Sequence, residues 1–299
     1  MVIDRPGPVT DRITLLGRQE SCVYLVGGPE EYSLLGGGMT YVVPDILAQL
    51  ADFSIDESKI TRLIILHSHF DHVGIVPFFR KRLPHVRVCA SRRGRDQLLR
   101  PEVVAVIVDF NRVLLAREGM EGREAELGLP FGSIVVDEVL TDGQTLQAGD
   151  LDLEVMEVPG HSSCSIAVYC PQEKALFASD AGGIPFGDKV FAAANSNYDQ
   201  YQASLQRMSR LDVDVHCAEH YGALTGDDAR GFMPRSMESA RLTRIVIEDA
   251  YRRTRDVART VEEVTNLLAS ESQGYFLPRE VMEMVVGQMT RYLAKTLNL

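Results

Sequence analysis

Three histidines and one aspartate fall within six positions of the segment LIILHSHFDHVG, residues 63–74. On an extended segment alternate side chains share a face, so His67 and His69 can point at one centre where the apolar run ends. Asp71 and His72 follow as the chain begins to turn, and they address a second point nearby. Imidazole and carboxylate groups are ligands for zinc, iron and manganese. The segment therefore predicts halves of two metal sites.

The remaining ligands must come from elsewhere in the chain, because a metal ion needs three or four protein ligands. Three more ligand-type residues follow strand-like runs, namely His161 in EVPGHSS, Asp180 in LFASDAGG and His220 in HCAEHYG. Each alone would pass as a surface loop residue. Several strand ends that all present metal-type ligands are harder to explain by chance, so a metal centre is predicted.

Two of the seven histidines lie outside this set. His85 lies in LPHVRV, a loop before a strand, and is predicted to be exposed to solvent. His216 lies in DVDVHCAEH on the strand that leads to His220. We predict that it is a core residue, or that it supports a ligand, rather than a ligand itself.

The elements that position these residues can be read from the apolar pattern. The first forty residues alternate short apolar segments with glycines, which predicts antiparallel strands. TRLIILH is a continuous apolar run, typical of a strand buried on both faces. Strands return from Ile134, and a helix is expected from Asp199 to Leu211. This order predicts an α/β fold with two mixed β-sheets packed face to face and helices outside.

Helical periodicity dominates from about Phe232 onward. We predict a core domain over residues 1–230 and a C-terminal helical extension over residues 231–299, which packs on the core and could cap the active site. Apolar residues at spacings of three and four predict one stripe on the last helix: Val281, Met284, Val285, Met289, Tyr292 and Leu293. This methionine-containing stripe could also serve a homodimer.

Composition excludes several classes of function. A net charge of −11 argues against extended binding to nucleic acid, because the protein's own field would oppose phosphate binding. The five cysteines are scattered and include no Cys-x-x-Cys pair, so neither a disulfide framework nor a thiolate zinc site is predicted. No apolar run approaches the roughly 18 residues that a membrane span needs. We predict a soluble cytoplasmic protein without a membrane partner.

One basic segment departs from the acidic average. The interval 80–100 carries one acid, Asp96, against a series of bases: Arg80, Lys81, Arg82, Arg87, Arg92, Arg93, Arg95 and Arg100. One interpretation is the solvated faces of two helices. The other is a docking surface for a phosphorylated group such as that of coenzyme A, because arginine forks match phosphate oxygens.

The string His67-x-His69-x-Asp71-His72, followed in order by His161, Asp180 and His220, resembles the metallo-β-lactamase fold superfamily over roughly residues 10 to 225. The resemblance implies an αββα sandwich with a two-metal centre. It implies that the first metal is held by His67, His69 and His161, that the second is held by Asp71, His72 and His220, and that Asp180 bridges them. The stretches RLP-x-V-x-V-x-AS and YFLPRE are similar to the group of 2-aminobenzoylacetyl-CoA thioesterases around the pseudomonal quinolone signal response protein.

The resemblance implies a hydrolase with two divalent ions of zinc, iron or manganese. A hydroxide that bridges the ions would attack a carbonyl carbon, oriented by Asp71 and Asp180 as catalytic residues. A thiolate leaving group, with a pKa of about 8.5, departs without a proton donor. A small-molecule thioester of the acyl-CoA type is therefore the expected substrate. Candidate residues of the substrate pocket are Phe186, Phe191, Tyr198, Tyr201 and Tyr221, the last also a potential proton donor.

Other functions stay open on the sequence. A lactonase acting on acyl lactone signals would use the same ligands. A persulfide dioxygenase of the superfamily binds a single iron. A phosphodiesterase acting on nucleic acid needs an extended basic track, for which this acidic chain has little room. The protein could also act by binding a regulator.

Overall fold

The computed structural model describes residues 1–271, 274–275 and 277–297, and these form two compact units. Unit 1 contains Met1–Glu157, Cys164–Ser179 and Asp212–Arg230. Unit 2 contains Val158–Ser163, Asp180–Leu211 and the described residues from Gly231 onward. The last change of unit falls between residues 230 and 231. Unit 2 also includes two earlier segments that the prediction had assigned to the core domain.

The strands and helices follow the predicted order along the chain, but the strand expected from Ile134 begins at Glu138 and the helix expected from Asp199 to Leu211 spans Tyr198–Met208. The strands are β1 (Val2–Ile3), β2 (Gly7–Pro8), β3 (Ile13–Arg18), β4 (Ser21–Gly28), β5 (Glu31–Leu35), β6 (Ile60–Ile64), β7 (Arg87–Ser91), β8 (Glu138–Leu140), β9 (Thr145–Ala148), β10 (Leu151–Glu157), β11 (Ile166–Cys170), β12 (Ala175–Phe177), β13 (Ile184–Phe186), β14 (Lys189–Phe191), β15 (Val215–Cys217) and β16 (Ala223–Thr225). The helices are α1 (Val43–Asp52), α2 (Val76–Arg82), α3 (Arg92–Leu98), α4 (Pro101–Arg117), α5 (Tyr198–Met208), α6 (Asp227–Arg230), α7 (Phe232–Thr254), α8 (Val257–Glu271) and α9 (Arg279–Leu297).

Unit 1 contains two mixed β-sheets. One has the strand order β2-β3-β4-β5-β6-β7-β8, antiparallel as far as β5 and parallel from β5 to β8. The other has the order β1-β16-β15-β12-β11-β10-β9 and is antiparallel except where β12 pairs with β15. The prediction of two mixed sheets is confirmed.

Apolar side chains from both sheets form one buried core. Leu15, Tyr24 and Ile64 come from the first sheet, and Val155 and Phe177 come from the second. The Tyr24 and Phe177 rings meet edge to face with centroids 5.6 Å apart. Each such buried side chain contributes about 1.5–3 kcal/mol, so the sheets are held face to face. Because α1 packs on β3, α3 on β7 and α6 on β16, the unit is the expected αββα sandwich.

Unit 2 is mainly helical. α5 packs on α7, which packs on α8 and α9, and the hairpin β13–β14 also contacts α7. The apolar stripe predicted for α9 is partly correct, because Val281, Met289 and Leu293 are buried. Met284 was wrongly assigned to it, since its side chain is 43% exposed. In the described part of the chain, no helix is long and apolar enough to cross a membrane.

Candidate metal centre

The loop that carries the histidine motif leaves the first sheet where β6 ends. Residues Leu63 to Leu66 are at most 1% exposed, and the chain then enters a short 3-10 turn, Phe70–His72. The side chain of Asn111 on α4, itself fully buried, holds this turn: its amide donates to the Phe70 carbonyl at 2.8 Å. Its oxygen accepts the Thr40 N–H at 2.9 Å. A buried amide thus positions the residues on either side of Phe70.

Three ligand-type side chains of unit 1 converge at one point. The Nε2 atoms of His72 and His220 are 3.2 Å apart, and Asp71 Oδ2 lies 3.5 Å from the first and 3.7 Å from the second. A tetrahedral ion with bonds of about 2.0–2.2 Å separates its ligand atoms by about 3.3–3.6 Å. All three side chains are buried. The spacing and the donor chemistry therefore fit a single divalent cation.

The other half of the motif lies beside this group. The rings of His67 and His69 meet edge to face with centroids 4.6 Å apart, and those of His67 and His72 are 4.1 Å apart. The loop therefore brings its predicted imidazole ligands together within unit 1, as the alternation of side chains indicated.

In three of the histidines predicted as ligands, the Nδ1 atom faces an oxygen atom. The Nδ1–H of His220 donates to the Glu20 carbonyl at 2.7 Å, and that of His161 donates to the Ala193 carbonyl at 2.7 Å. His67 Nδ1 lies 3.1 Å from the Ser179 hydroxyl. A carbonyl oxygen only accepts, so His161 and His220 carry their protons on Nδ1. Their Nε2 atoms then keep a lone pair for a metal.

His161 and Asp180 meet within unit 2. His161 Nε2 lies 3.5 Å from Asp180 Oδ2, again a spacing that suits two ligands of one ion, and the residues are only 2% and 5% exposed. Gly160 lets the chain turn here, because it has φ +135° and an added Cβ would lie 2.2 Å from Tyr201 N. The proline and glycine of EVPGHSS therefore do end the strand and direct His161.

The backbone before His220 is tied to β4. The Tyr24 hydroxyl donates to the Ala218 carbonyl at 2.7 Å, and the Cys22 N–H donates to the Glu219 carbonyl at 2.8 Å. Burial raises the pKa of Tyr24, so the phenol stays protonated and remains a donor. Glu219, the residue directly before His220, is a buried acid that the sequence pattern did not single out. Its adjacency to His220 in CAEH was the available signal.

The aromatic residues predicted for a substrate pocket divide into two kinds. Phe186 and Phe191, on the hairpin β13–β14, are half-buried, and their rings lie 5.4 Å and 5.1 Å from that of Tyr275. Tyr198, by contrast, is fully buried and donates its hydroxyl proton to the Ala240 carbonyl. Tyr198 therefore has no surface to offer a substrate, and neither does the equally buried Tyr201.

Tyr221 is half-buried directly after His220, in the left-handed backbone conformation at φ +63°. Of the histidines outside the ligand set, His85 is exposed and His216 is fully buried on β15, both as predicted. Tyr275 belongs to the segment YFLPRE, whose Phe276 lies outside the described residues.

Most arginines of the basic segment are paired with carboxylates of the chain itself. The pairs are Arg80 with Asp137, Arg82 with Glu57, Arg87 with Glu138, Arg95 with Asp96 and Arg100 with Glu102. Exposed pairs of this kind are typical of solvated helix faces. They favour the first interpretation of the segment over a docking surface for phosphate.

The sandwich and its histidine and aspartate clusters define a class of metal-dependent hydrolases. The sequence profile of the metallo-beta-lactamase superfamily matches residues 16–220, and the chain belongs to this superfamily. The family membership, together with relatives that are named as hydrolases, confirms the prediction of a metal-dependent hydrolase.

Two kinds of relative are similar to the chain in sequence. The acyl-coenzyme A thioesterase MBLAC2 of Homo sapiens is 28% identical over 197 residues, which cover 63% of this chain and 67% of that protein. The hydroxyacylglutathione hydrolase of Prochlorococcus marinus (strain MIT 9312) is 26% identical over 175 residues, which cover 56% of this chain and 54% of that protein.

Solved structures agree with the fold. The metallo-beta-lactamase family protein TTHA1429 from Thermus thermophilus superposes with a TM-score of 0.71 at 18% identity, over 97% of this chain and 95% of that one. The archaeal superfamily protein ST1585 from Sulfolobus tokodaii gives a TM-score of 0.57 at 18% identity, over 80% of this chain and 84% of that one. At these identities the likeness concerns the fold alone.

Proposed function

We propose that the protein hydrolyses a thioester of the acyl-CoA type with the help of two divalent metal ions. The convergence of Asp71, His72 and His220 at the spacing of one coordination shell carries the proposal. The relatives named as acyl-coenzyme A thioesterase and hydroxyacylglutathione hydrolase support the substrate class. Coenzyme A and glutathione are both thiols, so their acyl derivatives share one scissile bond.

The proposed ligand set has seven residues. In the proposal, His67, His69 and His161 would hold the first ion, Asp71, His72 and His220 would hold the second, and Asp180 would be shared by both. Zinc, iron and manganese all accept imidazole and carboxylate ligands. Such ions supply a nucleophilic hydroxide at neutral pH and polarise the substrate carbonyl.

The side chains of the site have further tasks in this proposal. Asp71 and Asp180 each have a second carboxylate oxygen, which can accept a hydrogen bond from the attacking water and orient it. The backbone carbonyls that accept the Nδ1–H groups of His161 and His220 keep those rings in place. A thiolate leaves without protonation, because its pKa is about 8.5. Tyr221, next to His220, is the proposed donor where the leaving group needs a proton.

The aromatic cluster of unit 2 is the proposed contact for the acyl group. Phe186, Phe191 and Tyr275 present partly exposed rings within 5.8 Å of one another. An apolar chain that covers such a surface binds with a favourable change in free energy. A cytoplasmic location and a homodimer stay predictions from the sequence.

The proposal is tested with purified protein, elemental analysis and a substrate panel. The panel contains acyl-CoAs of increasing chain length, S-lactoylglutathione and acyl homoserine lactones. We expect close to two equivalents of divalent metal and release of free thiol from at least one thioester. Turnover of lactones alone would contradict the thioesterase, and one iron with oxygen consumption would indicate a dioxygenase.

Phe191→Ala should raise KM for long acyl chains more than for short ones.

A further inference from the structure

Glu219 is a buried acid beside the cluster of Asp71, His72 and His220. Its side chain is 2% exposed, and its Oε2 lies 3.1 Å from His72 Nδ1. Gly36 lies against the other carboxylate oxygen, since a Cβ added at Gly36 would lie 2.5 Å from Glu219 Oε1. No hydrogen bond of ordinary angle from the described residues reaches either oxygen. Burying a carboxylate without a polar partner costs free energy, so the imidazole of His72 is the expected partner of Glu219.

The two ring nitrogens of His72 face different groups. Nε2 lies among the cluster atoms, 3.2 Å from His220 Nε2 and 3.5 Å from Asp71 Oδ2, whereas Nδ1 faces Glu219. A neutral imidazole that offers Nε2 as a ligand carries its proton on Nδ1. That proton is on the edge of the ring that faces Glu219. His220 and His161 use neutral carbonyl oxygens for the same purpose, so His72 differs in facing a charged acceptor.

We propose that Glu219 is a positioning residue for the metal site. Its carboxylate lies 3.1 Å from His72 Nδ1, and its attraction for the Nδ1–H favours the tautomer with a lone pair on Nε2 and increases the basicity of that ligand. The added negative charge raises the affinity of the site for a divalent cation. This inference rests on the metal site of the proposed function.

The position of Glu219 is set by the sheet rather than by the metal. The Cys22 N–H donates a hydrogen bond to the backbone carbonyl of Glu219. The Tyr24 hydroxyl donates a hydrogen bond to the carbonyl of the preceding residue, Ala218. Both donors lie on β4, inside the core between the sheets. The backbone that carries the Glu219 side chain is therefore fixed by contacts that need no cation, which is the arrangement that a positioning role requires.

The test compares Glu219→Leu and Glu219→Gln with the unchanged protein. Leucine keeps most of the volume and removes the acceptor, whereas glutamine keeps an acceptor oxygen and removes the charge. Metal-free protein is titrated with Zn²⁺ in competition with a chromophoric chelator. We expect Glu219→Leu to weaken one of two sites by about 10–100-fold, as is typical when a residue behind a ligand is lost, with Glu219→Gln in between. Glu31→Gln, which affects an acid paired with Arg62, is the matched control and should bind normally.

A second readout separates positioning from simple support of the fold. The Co²⁺ form of Glu219→Gln should show altered d–d absorption, while circular dichroism and the unfolding temperature of its metal-free form stay close to those of the unchanged protein. If both Glu219 variants bind Zn²⁺ as tightly as the unchanged protein, the inference is wrong. If Glu219→Leu does not fold, Glu219→Gln decides. Absence of metal binding in the unchanged protein would instead contradict the proposed function.

Discussion

At the scale of single residues, the site depends on which atom of each ligand faces the common centre. Asp71 offers Oδ2 to the same point as two Nε2 atoms, and the carboxylate charge compensates a cation there. Asn in this position keeps the shape but loses the charge and one oxygen. We expect Asp71→Asn to lose one equivalent of metal and to lower hydrolysis by more than about 100-fold, beyond the usual effect of residues behind the ligands.

The matched control for Asp71→Asn is His85→Ala, because His85 is an exposed histidine that belongs to neither half of the proposed centre. Elemental analysis and thioester turnover should leave this control unchanged. An Asp71→Asn protein that keeps its full metal content would remove Asp71 from the ligand set.

At the scale of elements, one acid connects three helices of unit 2. Asp199, in the first turn of α5, accepts hydrogen bonds from Arg244 on α7 at 2.6 Å and from Tyr292 on α9 at 3.0 Å. The Arg244 hydrogen bond lowers the pKa of Asp199; burial opposes this, and the Tyr292 hydroxyl adds to the lowering. Because the carboxylate side chain is 59% exposed, the contribution is modest, about 0.5–1 kcal/mol.

The pH dependence of this contribution follows from the lowered pKa. The stabilisation is fully present above the unfolded pKa of about 3.9 and is lost as pH falls through the lower folded value. Asp199→Asn should therefore reduce the free energy of unfolding at pH 5–7, and the difference should shrink below about pH 4. Urea unfolding at several pH values measures it. Asp249→Asn, an exposed acid on α7, is the control and should change stability by less than about 0.5 kcal/mol. A difference that does not vary with pH would contradict the assignment.

At the scale of the whole molecule, the proposed ligands extend from residue 67 to residue 220, so a cation recognises only the folded chain. A ligand that binds the native state alone stabilises it by about 2.7 kcal/mol at 100 times its Kd. Removal of metal with EDTA should therefore lower the unfolding temperature by roughly 5 °C for a chain of this size. Calorimetry of metal-free protein with and without added Zn²⁺ measures the shift, which should be smaller in Asp71→Asn. An identical unfolding temperature would argue against a site built from these residues.

The motif and its flanking strands were predictable, because the strand alternation and the ligand chemistry are local properties. The pattern of LIILHSHFDHVG contained both the buried strand and the loop that presents His67, His69, Asp71 and His72. The order of strands and helices likewise led to two mixed sheets. The exposure of Met284 was missed, since helical spacing identifies a stripe without showing which of its edges a neighbouring helix covers.

The chemical types of the ligands, the acidic charge and the class of fold follow from the order of residues alone, because they depend on composition and on short-range periodicity. The tautomers of His161 and His220, the burial of Tyr198 and the contact between Glu219 and His72 depend on groups far apart in the chain. Residues 72 and 219 follow β6 and β15, which belong to different sheets, and they become neighbours through the packing of the two sheets. That long-range packing leaves no periodic trace in the sequence, so only the folded chain shows it.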